Sequence, residues 1–249
     1  MPKGSGLSQE LFIGGNDTTG DVGTINNSAS PRTTVPVTGI NSTSVERVMT
    51  RADGLLEFGH YFNDASEQIH AALKGLPRTD VLLMWVTGNS RGAPVQMWSA
   101  KQINYDWTKG ADGSMTGVTR VETNCVPPEW GEILSSVPAG TCGAFGAGSV
   151  SATVDSGAAT SAGAMAQLQL HNITSGANSA IFVQDSADGC SFATILTFSV
   201  VSTGAEPAAE RVTKSGTVRR YLRVLQNTGV NVSLSVGLRR GTAQDDTAY

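Results

Sequence analysis

Apolar and polar positions between Gly54 and Val86, GLLEFGHYFNDASEQIHAALKGLPRTDVLLMWV, predict a strand, a helix and a second strand in unbroken succession. Over 55–62 the apolar residues Leu56, Phe58, Tyr61 and Phe62 are interrupted by Glu57 and His60, as expected of a strand packed mainly on one face. Asp64 followed three residues later by Glu67 has the spacing of a capping box. Ile69, Leu73 and Leu76, with Ala65 and Ala72 beside them, make one narrow apolar stripe, and Gly75 and Pro77 end the element. The pattern therefore predicts a helix over about 64–75. Its opposite face carries Gln68, His70 and Lys74, so it belongs on the outside of a sheet. Val81 to Val86, unbroken and containing Trp85, reads as the most deeply buried strand of the first half.

Elsewhere the pattern is β or loop. Residues 14–34 hold no large apolar side chains beyond Val22 and Ile25 and read as a long arm, the first candidate for an intersubunit contact. Strands are predicted over 35–40, 44–50, 95–105 and 115–122, with turns at 87–92 and 110–113. From Val126 the composition shifts to Pro, Gly, Ala, Ser and Thr, which suggests a boundary. Beyond it, Ala166, Leu168 and Leu170 alternate with Gln167, Gln169 and His171. Further strands are predicted at Ile181 to Val183, 192–201, 218–226 and 230–238. The expected organisation is a β domain over 1–145 with an N-terminal arm, a Gly/Ala/Ser-rich linker over 146–163, and a C-terminal β-sandwich region over 164–249 whose tail frays. The fold class is mainly β, α+β with little α.

Charge and composition narrow the function. Charged residues make up 15% of the 249, against roughly 25% in an ordinary soluble domain. Such a surface suits packing against copies of itself. Seventeen basic and twenty-one acidic residues give a net charge of −4 with no Lys/Arg run, which argues against sequence-specific nucleic-acid binding. Residues 1–15 lack a long apolar core, so neither a secretory leader nor a membrane anchor is expected. The three cysteines, Cys125, Cys142 and Cys190, are odd in number and far apart, which argues for a reducing compartment; a Cys125–Cys142 bridge remains open.

Candidate chemistry is sparse. Gly88-Asn89-Ser90-Arg91-Gly92 fits the nucleophile-elbow pattern, but Pro94 and a strand follow where a helix is required. His60, His70 and His171 lack metal-site spacing and read as surface or boundary residues; Asp17 and Asp21 lack the ligand density of a calcium loop. Asp185 and Asp188 are the nearest carboxylate pair, in a turn of ordinary composition. Gly143, Gly146 and Gly148 have neither the spacing nor the lysine of a phosphate loop. Trp85, Trp98, Trp107 and Trp130 could line a sugar site, though packing is the default for tryptophan. No catalytic, cofactor or metal residue is expected, and no enzyme.

Leu11-Phe12-Ile13-Gly14-Gly15, Val37-Thr38-Gly39-Ile40-Asn41, Gly54 to Phe58, Tyr61-Phe62-Asn63, Ala65 to Asp80, Ala100 to Asp106 and Tyr221-Leu222-Arg223-Val224 together resemble the major tail (tail tube) proteins of long-tailed bacteriophages. The resemblance implies a β-sandwich with one flanking helix, hexameric rings whose inner strands form a continuous β-barrel, and stacking into a tube that conducts DNA without sequence-specific binding. It also implies as partners the chain itself and other tail proteins (tape measure, tail tip, terminator), with no membrane. The site implied is the virion, assembled in the host bacterial cytoplasm. The 14–34 arm and the 108–113 hairpin become expected contacts to a neighbouring ring. A tail terminator, a capsid decoration protein and a carbohydrate- or cell-surface-binding sandwich are the alternatives.

Overall fold

Sheet pairing, rather than the helix, holds this chain together. The computed structural model describes residues 8–88, 90–136, 150–175, 180–199, 204, 206–226 and 231–242. The first half contributes β1 (Glu10–Ile13), β2 (Asn16–Asp17), β3 (Val22–Ala29), β4 (Arg32–Pro36), β5 (Arg47–Ala52), β6 (Leu55–Tyr61), α1 (Ile69–Leu73), β7 (Val81–Val86), β8 (Pro94–Gln102), β9 (Asp106–Lys109), β10 (Met115–Thr123) and β11 (Glu129–Ser136). The second contributes β12 (Val154–Asp155), β13 (Ala164–Ser175), β14 (Ile181–Ser186), β15 (Ala193–Thr197), β16 (Ala208–Lys214), β17 (Tyr221–Gln226) and β18 (Asn231–Arg240). The expectation of a mainly β fold with little α holds.

Twelve strands form one sheet whose main path runs β16-β13-β18-β11-β8-β10-β6-β3, with β7, β1, β2 and β9 attached. Strand β8 is the junction. One edge pairs with β7 from Val95 to Ala100; the other pairs with β11 over Pro94–Met97 and with β10 over Ala100–Gln102. The sheet forks there and curls into a nearly closed, barrel-like form. On either side of residues 146–163 it is continuous, because β18 pairs with β11 from Leu238↔Glu132 to Ser235↔Ser136. Residues 150–163 include β12 and the bridges Val150↔Leu225 and Thr160↔Val218.

A second sheet, β12-β17-β14-β15, covers the β13–β18 side. Leu168, Leu170, Val232 and Leu234 meet Ile181, Val183, Leu222 and Val224 in the largest core cluster. Each side chain so buried contributes about 1.5–3 kcal/mol, and the period-two alternation of the sequence is what puts them on one face. A second cluster, with Leu56, Phe58, Ile69, Leu73 and Trp98, seats α1 against the sheet.

The structure corrects several expectations. Residues 14–34 are not an arm: they form β2, β3 and the start of β4, and β3 pairs along β6 from Val22↔His60 to Ala29↔Leu55. Asparagine, serine and glycine hid this strand, since an edge strand with one wet face needs few apolar residues. The element that does project is the β4–β5 ribbon, a separate two-stranded sheet. Strand β16, not expected from the pattern, pairs with β13 from Ala164↔Lys214 to Leu170↔Ala208. The helix is shorter than predicted, five residues, and its N-cap Gln68 makes no side-chain cap bond. Glu67 adopts φ +65°, outside any capping box. Instead the Ile69 amide donates to Asp21 Oδ2 at 3.0 Å, and Asp21 Oδ1 accepts from Asn63 Nδ2 at 2.8 Å. A tertiary contact has replaced the local cap.

Candidate assembly surfaces

Alternation along β13 puts Gln167, Gln169 and His171, the last expected at a surface or boundary, on one face, and both faces of the strand are buried. Gln167 and Gln169 donate from Nε2 to the carbonyls of Leu83 and Leu82 on β7, at 2.9 and 3.1 Å. His171 is 1% exposed, with Nδ1 2.8 Å from Gly15 O and Nε2 3.1 Å from Ser235 Oγ; burial lowers its pKa. Alternation alone cannot show that a polar face is dry. A buried face needs its polar groups paired, and here β7, the β1–β2 turn and Ser235 on β18 supply partners for all of these side-chain atoms except Gln167 Oε1.

A buried ion triad reinforces the same joint. Glu129 at the start of β11 is 2% exposed and accepts from Arg211 on β16 at 2.9 Å and from Arg239 on β18 at 3.0 Å. Charge spacing in the sequence gives no sign of it, since the three residues are brought together only by the strand order.

His60 also proves buried rather than exposed. Its Nε2 lies 2.9 Å from Thr119 Oγ1, and its ring stacks on Tyr105 at 5.8 Å and meets Trp107 edge-on at 4.8 Å. Burial lowers its pKa to about 4, against a smaller opposing pull from Asp21. His70 on α1 is half-buried, its Nδ1 2.8 Å from Tyr105 Oη. No two of the three histidines share a ligand geometry, and no group of three His, Cys, Asp or Glu that could hold a metal occurs among the described residues.

The remaining candidates are dispersed. Ser90 is exposed in a turn closed by Ala93 N→Ser90 O at 3.0 Å, and this turn enters β8, not a helix; Asn89 lies outside the described residues. Asp188 Oδ1 accepts from the amides of Ser191 and Cys190, both at 2.9 Å, and from Ser186 Oγ; these bonds hold its pKa well below the carboxylate range. Asp185 is buried and accepts from Arg219 N at 2.7 Å, so this pair ties the end of β14 in place. Asp155 forms a two-pronged pair with Arg220, at 2.6 Å on both arms, which lowers its pKa to about 2. Trp98 is core, Trp107 belongs to the His60 ring cluster, and Trp85 lies 6.1 Å from the exposed Trp130. Gly143, Gly146, Gly148 and Cys142, hence the proposed bridge, fall outside the described residues. No helix among the described residues is long and apolar enough to cross a membrane.

What the surface offers instead is contact area. On the ribbon and its tip, Val35, Val37, Ile40, Val45, Val48 and Met49 are each at least 46% exposed. Apolar residues concentrated on one projecting element mark an interaction surface, because isolated exposed hydrophobes scatter. Strands β3 and β16 end the main path of the large sheet, each with one edge unpaired among the described residues. The β9–β10 hairpin is closed by Gly110 N→Ser114 O at 2.8 Å and by Asp112 accepting from Ser114, which lowers the Asp112 pKa.

No protein-family model matches the chain, and no curated protein does. Among solved structures, a chain in the virion of a native gene transfer agent particle is 10% identical at a TM-score of 0.44, covering 51% of this chain and 98% of that one. The SPP1 Dit protein, from the hub adsorption apparatus of phages infecting Gram-positive hosts, is 10% identical at 0.31, covering 93% and 99%. A chain of the phage p2 baseplate in its activated conformation is 12% identical at 0.36, covering 96% and 99%. Likenesses this distant carry no inference about what the chain does.

Proposed function

We infer that this chain is a structural protein of a long-tailed phage tail, and that copies of it assemble into stacked, hexameric rings forming the tube through which DNA is ejected. The observation that carries this reading is the β4–β5 ribbon, whose large apolar side chains are left exposed by the described residues. Another polypeptide would cover them, and the sequence resemblance to tail tube proteins makes that polypeptide a second copy. Two sheet edges that are unpaired among the described residues support the reading, since unpaired edges invite strand addition and closed rings remove them. Head-to-tail contacts along an axis then build an open filament. A net charge of −4 suits a conduit, because a basic lining would hold the phosphate backbone through counterion release.

Electron microscopy of the purified protein at rising concentration, with sedimentation beside it, tests this. Tubes or stacked rings with a central channel are the expected result. Closed single rings that never stack would move the reading to a component that stops at one ring, such as a terminator. A monomer under every salt condition would overturn it.

A further inference from the structure

At the foot of the ribbon lies an open hollow of about 630 Å³, lined by the start of β4, the end of β5 and the 123–127 turn. Arg32 and Arg51 both line it, together with Asn124 and Cys125. Neither arginine side chain has a hydrogen bond or an ion pair among the described residues, although this is an acidic protein. Asp53 stands two residues past Arg51 but does not line the hollow. Two guanidinium groups left unpaired in one concavity repel each other and favour an anion.

Most carboxylates of the chain are already engaged, by arginine, lysine, amides or hydroxyls. Asp53, Asp64 and Glu67 are the described carboxylates that make no such bond. Asp64 and Glu67 stand three residues apart on the exposed loop leading into α1, where Glu67 takes φ +65°. Asp64 and Glu67 line one side of an open hollow of about 770 Å³ beside α1, and Lys74, whose side chain makes no ion pair among the described residues, lines the same hollow.

We propose that the hollow at Arg32 and Arg51 is an intersubunit socket that receives the Asp64–Glu67 loop of a second copy of this chain. The proposal rests on the self-assembly reading and names its contact. Socket and loop are different surfaces, so the joint is heterologous, the type that closes into rings or continues as a filament. Pairing two arginines with two carboxylates away from water makes each pair stronger than an exposed salt bridge and fixes register between copies. It also places the apolar ribbon, which grows from the socket, against the neighbouring copy.

The test uses the full chain and reads the protein concentration at which half of it sediments as assembly. Arg32→Glu with Arg51→Glu, or Asp64→Lys with Glu67→Lys, should each raise that concentration at least tenfold. The fourfold exchange, which restores opposite charges, should bring it back. All four side chains are exposed, so thermal unfolding of each variant should match the parent. A second readout is Ser66→Cys in a chain carrying Cys142→Ser and Cys190→Ser. A short bis-maleimide should join Cys125 of one copy to the introduced thiol of the next and give a ladder of covalent multimers. Unchanged assembly in the reversed variants, or an exchange that restores nothing, overturns the socket while self-assembly stands. A parent chain that never assembles overturns both. If inorganic phosphate binds the parent at millimolar concentration, Arg32→Glu with Arg51→Glu abolishes that binding and the exchange restores no assembly, the hollow is a free-anion site and the proposal falls.

Discussion

The backbone amide of Gly15 donates to the side-chain oxygen of Gln169 at 2.7 Å, joining positions 154 apart in sequence. Gly15 sits at φ +92°, and a Cβ there would lie 2.2 Å from Ala208 N and 2.6 Å from Leu170 O. The β1–β2 turn is thus wedged against the backbones of β13 and β16, and only glycine fits. Its neighbour Gly14, at φ +57°, faces open space.

Gly15→Ala combines an unfavourable dihedral with a backbone clash and should destabilise the chain by about 2–4 kcal/mol. Gly14→Ala bears the dihedral cost alone, about 1 kcal/mol. Urea unfolding of the two variants checks the difference; equal losses would mean that Gly15 does not act as a wedge.

Glu129 is the shared acceptor of Arg211 and Arg239. Glu129→Ala leaves two partly buried guanidinium groups facing each other and should cost about 3–5 kcal/mol. Exchanging all three residues for apolar ones of similar volume should cost less than the single change, because no charge is then stranded. Denaturant midpoints of the single and triple variants decide this, and a triple variant weaker than the single one would contradict it.

His60 makes stability depend on pH. Its folded pKa, about 4, lies below the ordinary 6.5, so the unfolded chain binds the proton more tightly than the folded one. The neutral ring's contribution is complete above pH 6.5 and is lost as pH falls toward 4, by about 3 kcal/mol at most. His171, also lowered by burial, acts in the same direction. Thermal melts from pH 7.5 to 4 should fall with acid, and His60→Gln should flatten part of that slope. A parallel slope in the variant would locate the acid sensitivity elsewhere.

Ile40→Asp with Met49→Asp on the ribbon should weaken assembly while changing monomer stability by less than about 0.5 kcal/mol, since neither side chain packs in a core. Sedimentation and thermal unfolding of the same variant separate the two effects. Loss of stability in step with assembly would show that the ribbon belongs to the fold.

Several elements were legible because their pattern is local. Val81 to Val86 forms β7, and the alternation of Leu222, Val224 and Gln226 or Val232, Leu234 and Val236 faces one core, as period-two reading requires. The nucleophile-elbow pattern at 88–92 is discounted locally, because Pro94 and a strand follow it. Other features depended on partners distant in sequence. The D-x-x-E spacing at 64–67 looked like a cap, yet Asp21 supplies the acceptor, because the β2–β3 turn passes the helix start once β3 pairs with β6. Polar β3 read as an arm because an edge strand is held by its backbone, which hydrophobic patterning does not report.

Local patterning already established a chain that is β-rich, low in charge and punctuated by turns, since strand alternation and turn residues act over a few neighbouring positions. It also determined that Gln167, Gln169 and His171 share one face of a strand. That this face is dry, that Glu129 joins two arginines, and that Arg32 and Arg51 share a hollow emerge with the packing of distant strands. Burial and charge pairing are set by which strands lie side by side, and strand order across a forked sheet is not written in any local window.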